Sequence, residues 1–375
     1  MSVSEPAWQR STPPRRVLYV GDLNPRDYGT CQQRLEAMRD LGHQVVGIDT
    51  PYYRGCSRPQ KLWRQLRRRF LKRAGDRNVT RQILEHLRRE PFDILWLDKP
   101  LPVETRVFRE ATQIRPGLRI VGYAPDDMMN PANQSREFLD GLRYYDVFFT
   151  TKSYNVAELE GLGCPRAVFV GNAYHPALHR PVELSAEERE RLGGPVGFIG
   201  TAEQERANSI AHLARNGIPV KVWGDHWEDF RARSGTNYTV AGRSQYGETY
   251  TRIICAFDIN LGFLRKVNRD LQTQRSIEIP ACGAFMLAER SNEHLELFEE
   301  GKEAEFFSSD DELLDKVRYY LAHPDQRRAI AEAGRQRCIR SGYSNQARID
   351  WMLAQVDAIT SGQRADAGEP IGGTR

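Results

Sequence analysis

The chain has 375 residues, of which 40% are hydrophobic and 28% are charged, and its formal net charge is +4. Because one hydrophobic core rarely extends beyond about 250–300 residues, this length predicts a globular protein of two domains. The mild charge argues against nucleic-acid binding, and six widely spaced cysteines without a C-x-x-C pair argue against a disulfide scaffold or a cysteine metal site.

The N-terminal segment MSVSEPAWQRSTPPRR lacks the apolar core of a signal peptide. No apolar run reaches the roughly 18–20 residues that a membrane span needs. Since the thiols are also expected to be reduced, these features favour a cytoplasmic protein. Residues 1–14 and 358–375 are polar and carry prolines or glycines, which predicts flexible tails.

The first half of the chain alternates strand-like and helix-like segments. RRVLYVGDL is an apolar strand, CQQRLEAMRDLG has the spacing of a helix that ends at Gly42, and HQVVGIDT is a second strand. This order predicts a parallel βαβ unit. The alternation continues through FDILWLD, RIVGYAP, DVFFTT and RAVFVGNA, so we predict a Rossmann-like first domain over residues 15–175.

A break follows at YHPALHRPVELSAEERERLGG, where Ser185 and Glu188 form a predicted capping box. The alternation restarts with PVGFIG, PVKVWG, FDINLGF and AFMLAE, which predicts a second Rossmann-like domain over residues 195–340. The predicted fold class is α/β, with two doubly wound parallel-sheet domains. Ligands of such sheets bind beyond the carboxyl ends of the strands, so we expect the site in a cleft between the domains.

Three segments carry a resemblance to a known family. RSIEIPACGAFMLAERSNEHLELFEEGKEAEFF resembles the donor site of GT-B glycosyltransferases, in particular the CgeB-like (spore maturation protein-like) group. GYAPDDMMNPANQSREFLDGLRYYDVFFTT resembles the acceptor-side core of the same group. YSNQARIDWML resembles its closing helix, which is expected at 341–357 and returns to the first domain in that architecture. The resemblance implies the GT-B fold.

The resemblance also implies an activity. GT-B glycosyltransferases move a sugar from a nucleotide-diphosphate donor, here with UDP or GDP favoured, to a glycan, lipid-linked or protein acceptor, and we expect a role in cell-surface glycan biosynthesis. No tightly bound cofactor and no metal are implied, because basic residues and helix termini neutralise the diphosphate in this family. No D-x-D triplet stands at a donor-site position of this chain.

Two acids match a spacing of the retaining members of this fold. Asp270 and Glu278 are separated by seven residues and precede an A-C-G turn. The resemblance makes Asp270 a catalytic candidate, although an aspartate at the first position departs from the usual glutamate. It makes Glu278 the acceptor of hydrogen bonds from the nucleotide ribose, a task that suits an acceptor-only carboxylate. The alternative for Glu278 is a helix-start carboxylate favoured by the helix dipole.

The donor diphosphate requires positive charge and free backbone N–H groups. Gly200 and Thr201 follow a strand in GFIGTAEQER and open a helix whose N-terminus favours anions. Arg206 lies about one turn into that helix and resembles the residue that holds phosphate in this family, although it could instead lie on a solvated face. Arg275 could reach the phosphates or pair with Glu278. Further candidates for phosphate binding are Arg265 and Lys266 in GFLRKVNRD.

Recognition of the nucleotide base in related enzymes uses the segment that follows the VWG strand. Trp223 and Gly224 are the candidates here, and Asp225 and Trp227 follow them closely. A tryptophan at such a place belongs to a hydrophobic core more often than it forms a platform for a base.

The first domain carries candidates for the acceptor and the sugar. Asp126 and Asp127 follow a strand in APDDMMN and could orient an acceptor hydroxyl or act as a base. Alternatively, they cap the turn, as aspartates often do. His175 is expected to be structural. The residues expected close to the sugar and the leaving phosphate are Gly21, Tyr28, Gly29 and Thr30.

A basic segment from Lys61 to Arg73, KLWRQLRRRFLKR, holds seven basic residues and no acid. Its apolar residues fall near helical spacing, which predicts a basic amphipathic helix. Such a helix could make peripheral contact with the inner membrane face or with an acidic polymer acceptor. The alternative is an ordinary solvated surface helix.

Two other functions are compatible with a pair of α/β domains. A nucleotide-sugar epimerase would act on the donor alone, and a non-catalytic glycan-binding or coat protein would retain the fold without the reaction. A Rossmann dehydrogenase is disfavoured, since no G-x-G-x-x-G follows the first strand.

Overall fold

The computed structural model describes residues 11–24, 28–51 and 74–360. The segment from Lys61 to Arg73 lies outside the described residues, as do residues 1–10 and 361–375. The chain divides into two compact units, Met1–Gly171 with Asn345–Arg375, and Asn172–Ser344.

The described residues of the first unit form a six-stranded sheet in which every strand pairs in parallel, in the order β2-β1-β3-β4-β5-β6. Its strands are apolar because helices cover both faces of the sheet. The order reverses between β1 and β3, where such sheets place their ligands. The strands are β1 (Arg16–Gly21), β2 (Gln44–Asp49), β3 (Ile94–Asp98), β4 (Arg119–Ala124), β5 (Val147–Thr150) and β6 (Ala167–Phe169).

The helices of the first unit enclose two apolar clusters, one on each face of the sheet. Trp96 of β3 is fully buried and stacks on Tyr19 of β1, Tyr123 of β4 and Phe149 of β5. The last helix packs on this face with its apolar side. The helices are α1 (Thr30–Asp40), α2 (Arg77–Arg89), α3 (Arg106–Ile114), α4 (Arg136–Gly141), α5 (Asn155–Gly161) and α14 (Asn345–Thr360), with short 3-10 turns at Pro131–Asn133 and Leu142–Tyr144.

The second unit also holds a parallel six-stranded sheet among the described residues, in the order β9-β8-β7-β10-β11-β12. Counted from its first strand this is the order 3-2-1-4-5-6 of dinucleotide-binding sheets, and its switch point lies between β7 and β10. The strands are β7 (Gly194–Ile199), β8 (Val220–Trp223), β9 (Thr239–Gly242), β10 (Phe257–Gly262), β11 (Met286–Glu289) and β12 (Glu305–Phe307).

The helices of the second unit cover its sheet on both faces. The predicted capping box is present, since the Ser185 hydroxyl accepts from the Glu188 N–H and the Glu188 side chain accepts from the Ser185 N–H. The helices are α6 (Ala186–Leu192), α7 (Gln204–Arg215), α8 (Trp227–Ser234), α9 (Gly247–Ala256), α10 (Arg275–Ala281), α11 (Asn292–Leu297), α12 (Asp310–Ala322) and α13 (Pro324–Arg340), with a 3-10 turn at Lys266–Asn268.

The predicted fold class is confirmed: both units are Rossmann-like, with a parallel sheet between helices. Strand β9, helix α8 and helix α13 were not predicted. Strand β9 has only four residues and none of them is buried, so no apolar run marks it in the sequence. Helix α13 is long but strongly polar, so its buried stripe is narrow.

Candidate functional site

The loops that follow β7 and β8 are held together at the carboxyl edge of the second sheet. The Gly200 N–H donates to the Trp223 carbonyl at 2.8 Å, and the Ala202 N–H donates to the Asp225 carbonyl at 3.0 Å. Gly224 has a φ of +147°, and a Cβ atom there would lie 2.0 Å from the Gly200 carbonyl oxygen. Only glycine permits this approach of two backbones, so the pair of loops has one tight geometry.

Two arginines lie beside these loops with their guanidinium groups over one phenylalanine ring. Arg206 comes from the first turn of α7 and Arg275 opens α10, and their Cζ atoms are 5.6 and 5.5 Å from the centre of the Phe198 ring. Arg206 is buried and donates through Nη1 to the Thr201 carbonyl at 3.1 Å. The Nε atoms of both arginines are buried and have no hydrogen-bond partner.

Burial and the nearby positive charge of Arg275 lower the pKa of Arg206 to about 10. A buried cation is costly unless it is paired with an anion. The two arginines follow the switch-point strands β7 and β10, where a ligand of this sheet is expected. Their arrangement can hold a bidentate anion such as a phosphate.

The other two predicted phosphate ligands lie at the rim of this region and have acidic partners. Arg265 Nε is 2.6 Å from Glu203 Oε1, and Lys266 Nζ is 3.2 Å from Glu289 Oε1. The side chains of Arg265 and Lys266 are 51% and 55% exposed, so water screens their charges. The structure therefore brings Arg206 and Arg275 together and links Arg265 to Arg206 through Glu203, whose Oε2 is 4.0 Å from Arg206 Nε, while Lys266 pairs with Glu289.

The two acids of the D-x7-E pair have different surroundings. Asp270 is buried, accepts from Asn268 Nδ2 at 2.8 Å and lies close enough to favour the charged form of Arg206. Glu278 is buried on α10, and its Oε2 accepts from the Tyr250 hydroxyl at 2.7 Å. The Arg275 guanidinium lies over the Phe198 ring, and its positive charge lowers the pKa of Arg206.

A histidine that sequence reasoning missed also faces Glu278. His179 Nε2 is 3.6 Å from Glu278 Oε1, and His179 Nδ1 accepts from the His175 backbone N–H at 3.0 Å. Burial lowers the pKa of His179, although the Glu278 carboxylate acts in the opposite direction, so the ring is neutral at pH 7. Because Nδ1 is an acceptor, the proton is on Nε2 and points to the carboxylate. Burial and the same carboxylate raise the pKa of Tyr250, which keeps its hydroxyl proton.

The tryptophans near the predicted base site use their N–H groups within the unit. Trp227 is fully buried, and its Nε1 donates to the Gly200 carbonyl at 2.7 Å. Trp223 is half-buried, and its Nε1 donates to the Leu192 carbonyl at 2.9 Å. Trp227 thereby fixes the loop at Gly200, Trp223 ties the end of β8 to α6, and Gly224 supplies the close approach described above.

The two predicted aspartates of the first unit differ in exposure. Asp126 pairs with Lys99, which follows β3 and has a φ of +52°. Asp127 is buried and accepts from Asn155 Nδ2 at 3.0 Å and from the Met129 N–H at 2.9 Å, as a turn-capping aspartate does. Asp126 is the one of the two whose carboxylate reaches the surface.

The predicted sugar-proximal residues lie at the carboxyl end of β1 and the start of α1. Gly21 ends β1, and Gly29 precedes the first residue of α1, Thr30, in an extended conformation. The Tyr28 hydroxyl donates to the Glu36 carboxylate. These residues are on one edge of the first sheet, as the sequence order requires.

A buried ion pair beneath this edge was missed by sequence reasoning. Arg34 Nε is 2.7 Å from Asp98 Oδ2, with side chains that are 3% and 0% exposed. The Tyr19 hydroxyl also donates to Asp98, and the Arg34 guanidinium lies 4.3 Å from the centre of the Tyr123 ring. Burial raises the pKa of Tyr123 to about 12. The aspartate that closes the apolar strand FDILWLD was the available signal, because an acid there needs a partner.

The structure describes residues 11–24, 28–51 and 74–360, and two features are absent from these ranges. Within these ranges no group of three or more His, Cys, Asp or Glu residues is placed to hold a metal ion. None of the helices described is both long enough and apolar enough to cross a membrane.

Comparison with known proteins adds a family match and a fold. Residues 205–354 match the family model described as glycosyl transferase-like. No curated protein matches the chain in sequence. Sucrose-phosphate synthase from Thermosynechococcus elongatus is similar in structure with a TM-score of 0.63 and 13% identity, over 93% of this chain and 99% of that chain.

Two further solved structures are similar to this chain. The HepE protein of Anabaena, in complex with UDP-glucose, is similar with a TM-score of 0.61 and 12% identity, over 92% of this chain and 99% of that one. A putative UDP-N-acetylglucosamine 2-epimerase from Listeria monocytogenes has a TM-score of 0.54 and 10% identity, over 96% and 100% of the two chains. These likenesses show the two-domain GT-B fold, and function has to be argued from the site.

Proposed function

We propose that this protein is a glycosyltransferase that moves a sugar from a nucleotide-diphosphate donor, UDP- or GDP-linked, to a glycan, lipid-linked or protein acceptor. The observation that carries the proposal is the pair Arg206 and Arg275, two guanidinium groups at the switch point whose buried Nε atoms make no hydrogen bond, with Glu203 Oε2 4.0 Å from Arg206 Nε. The glycosyl transferase-like match over residues 205–354 includes both arginines and supports the class of reaction.

The two arginines and the start of α7 would hold the diphosphate. Charge builds up on the leaving phosphate as the bond to the sugar breaks, and fixed cations in a site with little water stabilise it more than water does. Gly200 and Thr201 precede α7, whose twelve residues give its N-terminus a dipole that favours anions. Glu278 would accept hydrogen bonds from the ribose hydroxyls.

Several finer assignments belong to the same proposal. The second unit would be the donor side and the first the acceptor side, where Asp126 would orient an acceptor hydroxyl. Retention of configuration, with Asp270 near the reacting centre, and membership of the CgeB-like group rest on the resemblance of the donor segment. The arginine pair would supply the charge that other enzymes take from a metal. A cytoplasmic location, with peripheral membrane contact from Lys61 to Arg73, completes the proposal.

Titration calorimetry with UDP, GDP, ADP, CDP and dTDP tests the proposal. We expect one nucleotide to bind, and Arg206→Met and Arg275→Met each to weaken it roughly 10- to 150-fold, because a hydrogen bond to a charged group contributes about 1.5–3 kcal/mol. Arg206→Met should largely keep the melting temperature, since burial disfavours the charge of Arg206 and its acidic neighbour Glu203 keeps Arg265 as a partner. Arg233→Ala is the matched control, as this arginine lies 4.2 Å from the centre of the Phe230 ring.

Three outcomes would contradict the proposal. Failure of every nucleotide to bind folded protein would favour a non-catalytic glycan-binding or coat protein. An isomeric sugar nucleotide formed from the donor alone would favour an epimerase. A lower melting temperature without weaker nucleotide binding in both methionine variants would make the arginine pair structural.

A further inference from the structure

We infer that His179 and Tyr250 are positioning residues that fix the orientation of the Glu278 carboxylate, so that the donor site selects ribose over 2′-deoxyribose. The inference rests on the proposed function, because it assigns selectivity to the same nucleotide site. The three side chains come from different segments: the stretch before α6, helix α9 and helix α10.

One hydrogen bond and one longer polar contact hold the carboxylate from two sides. The Tyr250 hydroxyl donates to Oε2 at 2.7 Å, a full hydrogen bond. His179 Nε2 faces Oε1 at 3.6 Å, which is longer than a hydrogen bond. A carboxylate has about four lone-pair sites, so Oε1 retains its capacity for hydroxyl groups of a ligand while the plane of the carboxylate is held.

The two side chains that face Glu278 are themselves neutral. Tyr250 is a neutral phenol, and His179 is held in one tautomer by the bond from the His175 N–H to Nδ1, 3.0 Å long. The rings of His179 and Tyr250 also pack edge to face, with centres 6.0 Å apart. Neither ring can turn without disturbing the other, so the carboxylate is supported by a packed pair and not by a mobile side chain.

A fixed and charged acceptor discriminates between ligands with and without a hydroxyl. Glu278 is buried, so a ligand that lacks one hydroxyl leaves a lone pair of the carboxylate without water or donor. A site that hydrogen-bonds a ligand hydroxyl discriminates strongly against the analogue that lacks it. An apolar pocket discriminates much less against a ligand that is one methylene shorter. If the carboxylate could rotate, it would turn to the remaining hydroxyl and selectivity would fall.

Calorimetry with UDP, 2′-deoxy-UDP and inorganic pyrophosphate tests the inference, with GDP and 2′-deoxy-GDP if the protein binds guanine nucleotides. We expect wild-type protein to prefer the ribonucleotide roughly 10- to 100-fold. Tyr250→Phe and His179→Phe should reduce the preference to about threefold or less, with pyrophosphate affinity unchanged, because pyrophosphate has no ribose. His179→Asn retains an N–H donor and should restore part of the preference.

Tyr238→Phe is the matched control, since its buried hydroxyl donates to the Trp227 carbonyl at 3.3 Å in the same unit. It should leave both ratios as in wild type. An unchanged preference in Tyr250→Phe and His179→Phe would overturn the inference while the proposed function stands. Loss of pyrophosphate binding in the same variants would make their role structural, which also overturns it. Wild-type protein that binds no nucleotide and no pyrophosphate would instead contradict the proposed function.

Discussion

Acidification from pH 7 to pH 5 should destabilise the second unit through His294, which is buried as a neutral imidazole. Its Nδ1 is 2.7 Å from the Glu289 carbonyl and its Nε2 is 2.7 Å from the Ser276 hydroxyl. The carbonyl can only accept, so Nδ1 carries the proton and Nε2 accepts from Ser276. Ser276 is in the first turn of α10, next to Arg275, so this pair helps to anchor the helix of the candidate site.

The magnitude follows from the pKa of His294, which burial lowers from 6.5 to about 4. Between these values the unfolded chain binds a proton that the folded protein does not, so the free energy of unfolding falls as the pH falls. The contribution is present above pH 6.5 and is lost towards pH 4. Between pH 7 and pH 5 the loss amounts to about 2 kcal/mol.

Urea unfolding at the two pH values, read by hydrogen exchange of peptides from β10 and β11, measures this loss in the second unit alone. His294→Gln cannot take up the proton, so its stability should fall by about 2 kcal/mol less than that of wild type over the same pH change. His323→Gln, at an exposed histidine, is the control and should behave as wild type. Equal pH dependence in wild type and His294→Gln would refute the reasoning.

Two further predictions concern close packing and buried charge. Gly224→Ala should lower the free energy of unfolding by about 2–4 kcal/mol, because the new Cβ meets the Gly200 carbonyl. Gly235→Ala should lower it by about 1 kcal/mol, since its φ of +62° strains alanine but nothing lies within 4 Å of the new atom. Similar melting temperatures for the two variants would contradict this. Asp98→Ala should cost about 3–5 kcal/mol by leaving the Arg34 guanidinium buried without its partner. The double variant Arg34→Met with Asp98→Leu should be more stable than Asp98→Ala in urea unfolding, and a less stable double variant would count against the buried-charge argument.

Apolar runs predicted most of the fold because strands buried on both faces leave a continuous signal. FDILWLD and PVGFIG are the central examples, and the structure places them as β3 and β7. Gly42 was predicted as the residue just past the C-cap of the first helix, and it follows the C-cap Leu41 with a φ of +80°, as such a glycine often does. Strand β9 escaped prediction because an edge strand without a buried residue needs no apolar pattern.

Candidate residues were predictable where the chemistry is local. A glycine after a strand and an arginine one turn into the following helix are short-range features, and Arg206 donates to the carbonyl of Thr201, the residue after Gly200. The sequence did not distinguish the roles of two identical residues in neighbouring positions. Asp126 and Asp127 have the same side chain in neighbouring positions, yet one is paired at the surface and the other caps a turn inside the unit.

The sequence by itself determined the element order, the parallel sheets and the division into two Rossmann-like units, because these depend on periodicity and on the length of apolar runs. Tertiary structure alone decided which side chains meet. Glu278 contacts Tyr250 from another helix and His179 from a third segment, while the Nε atoms of Arg206 and Arg275 are buried without a hydrogen bond. Local propensity cannot encode such pairs, since they arise from the packing of segments distant in the chain.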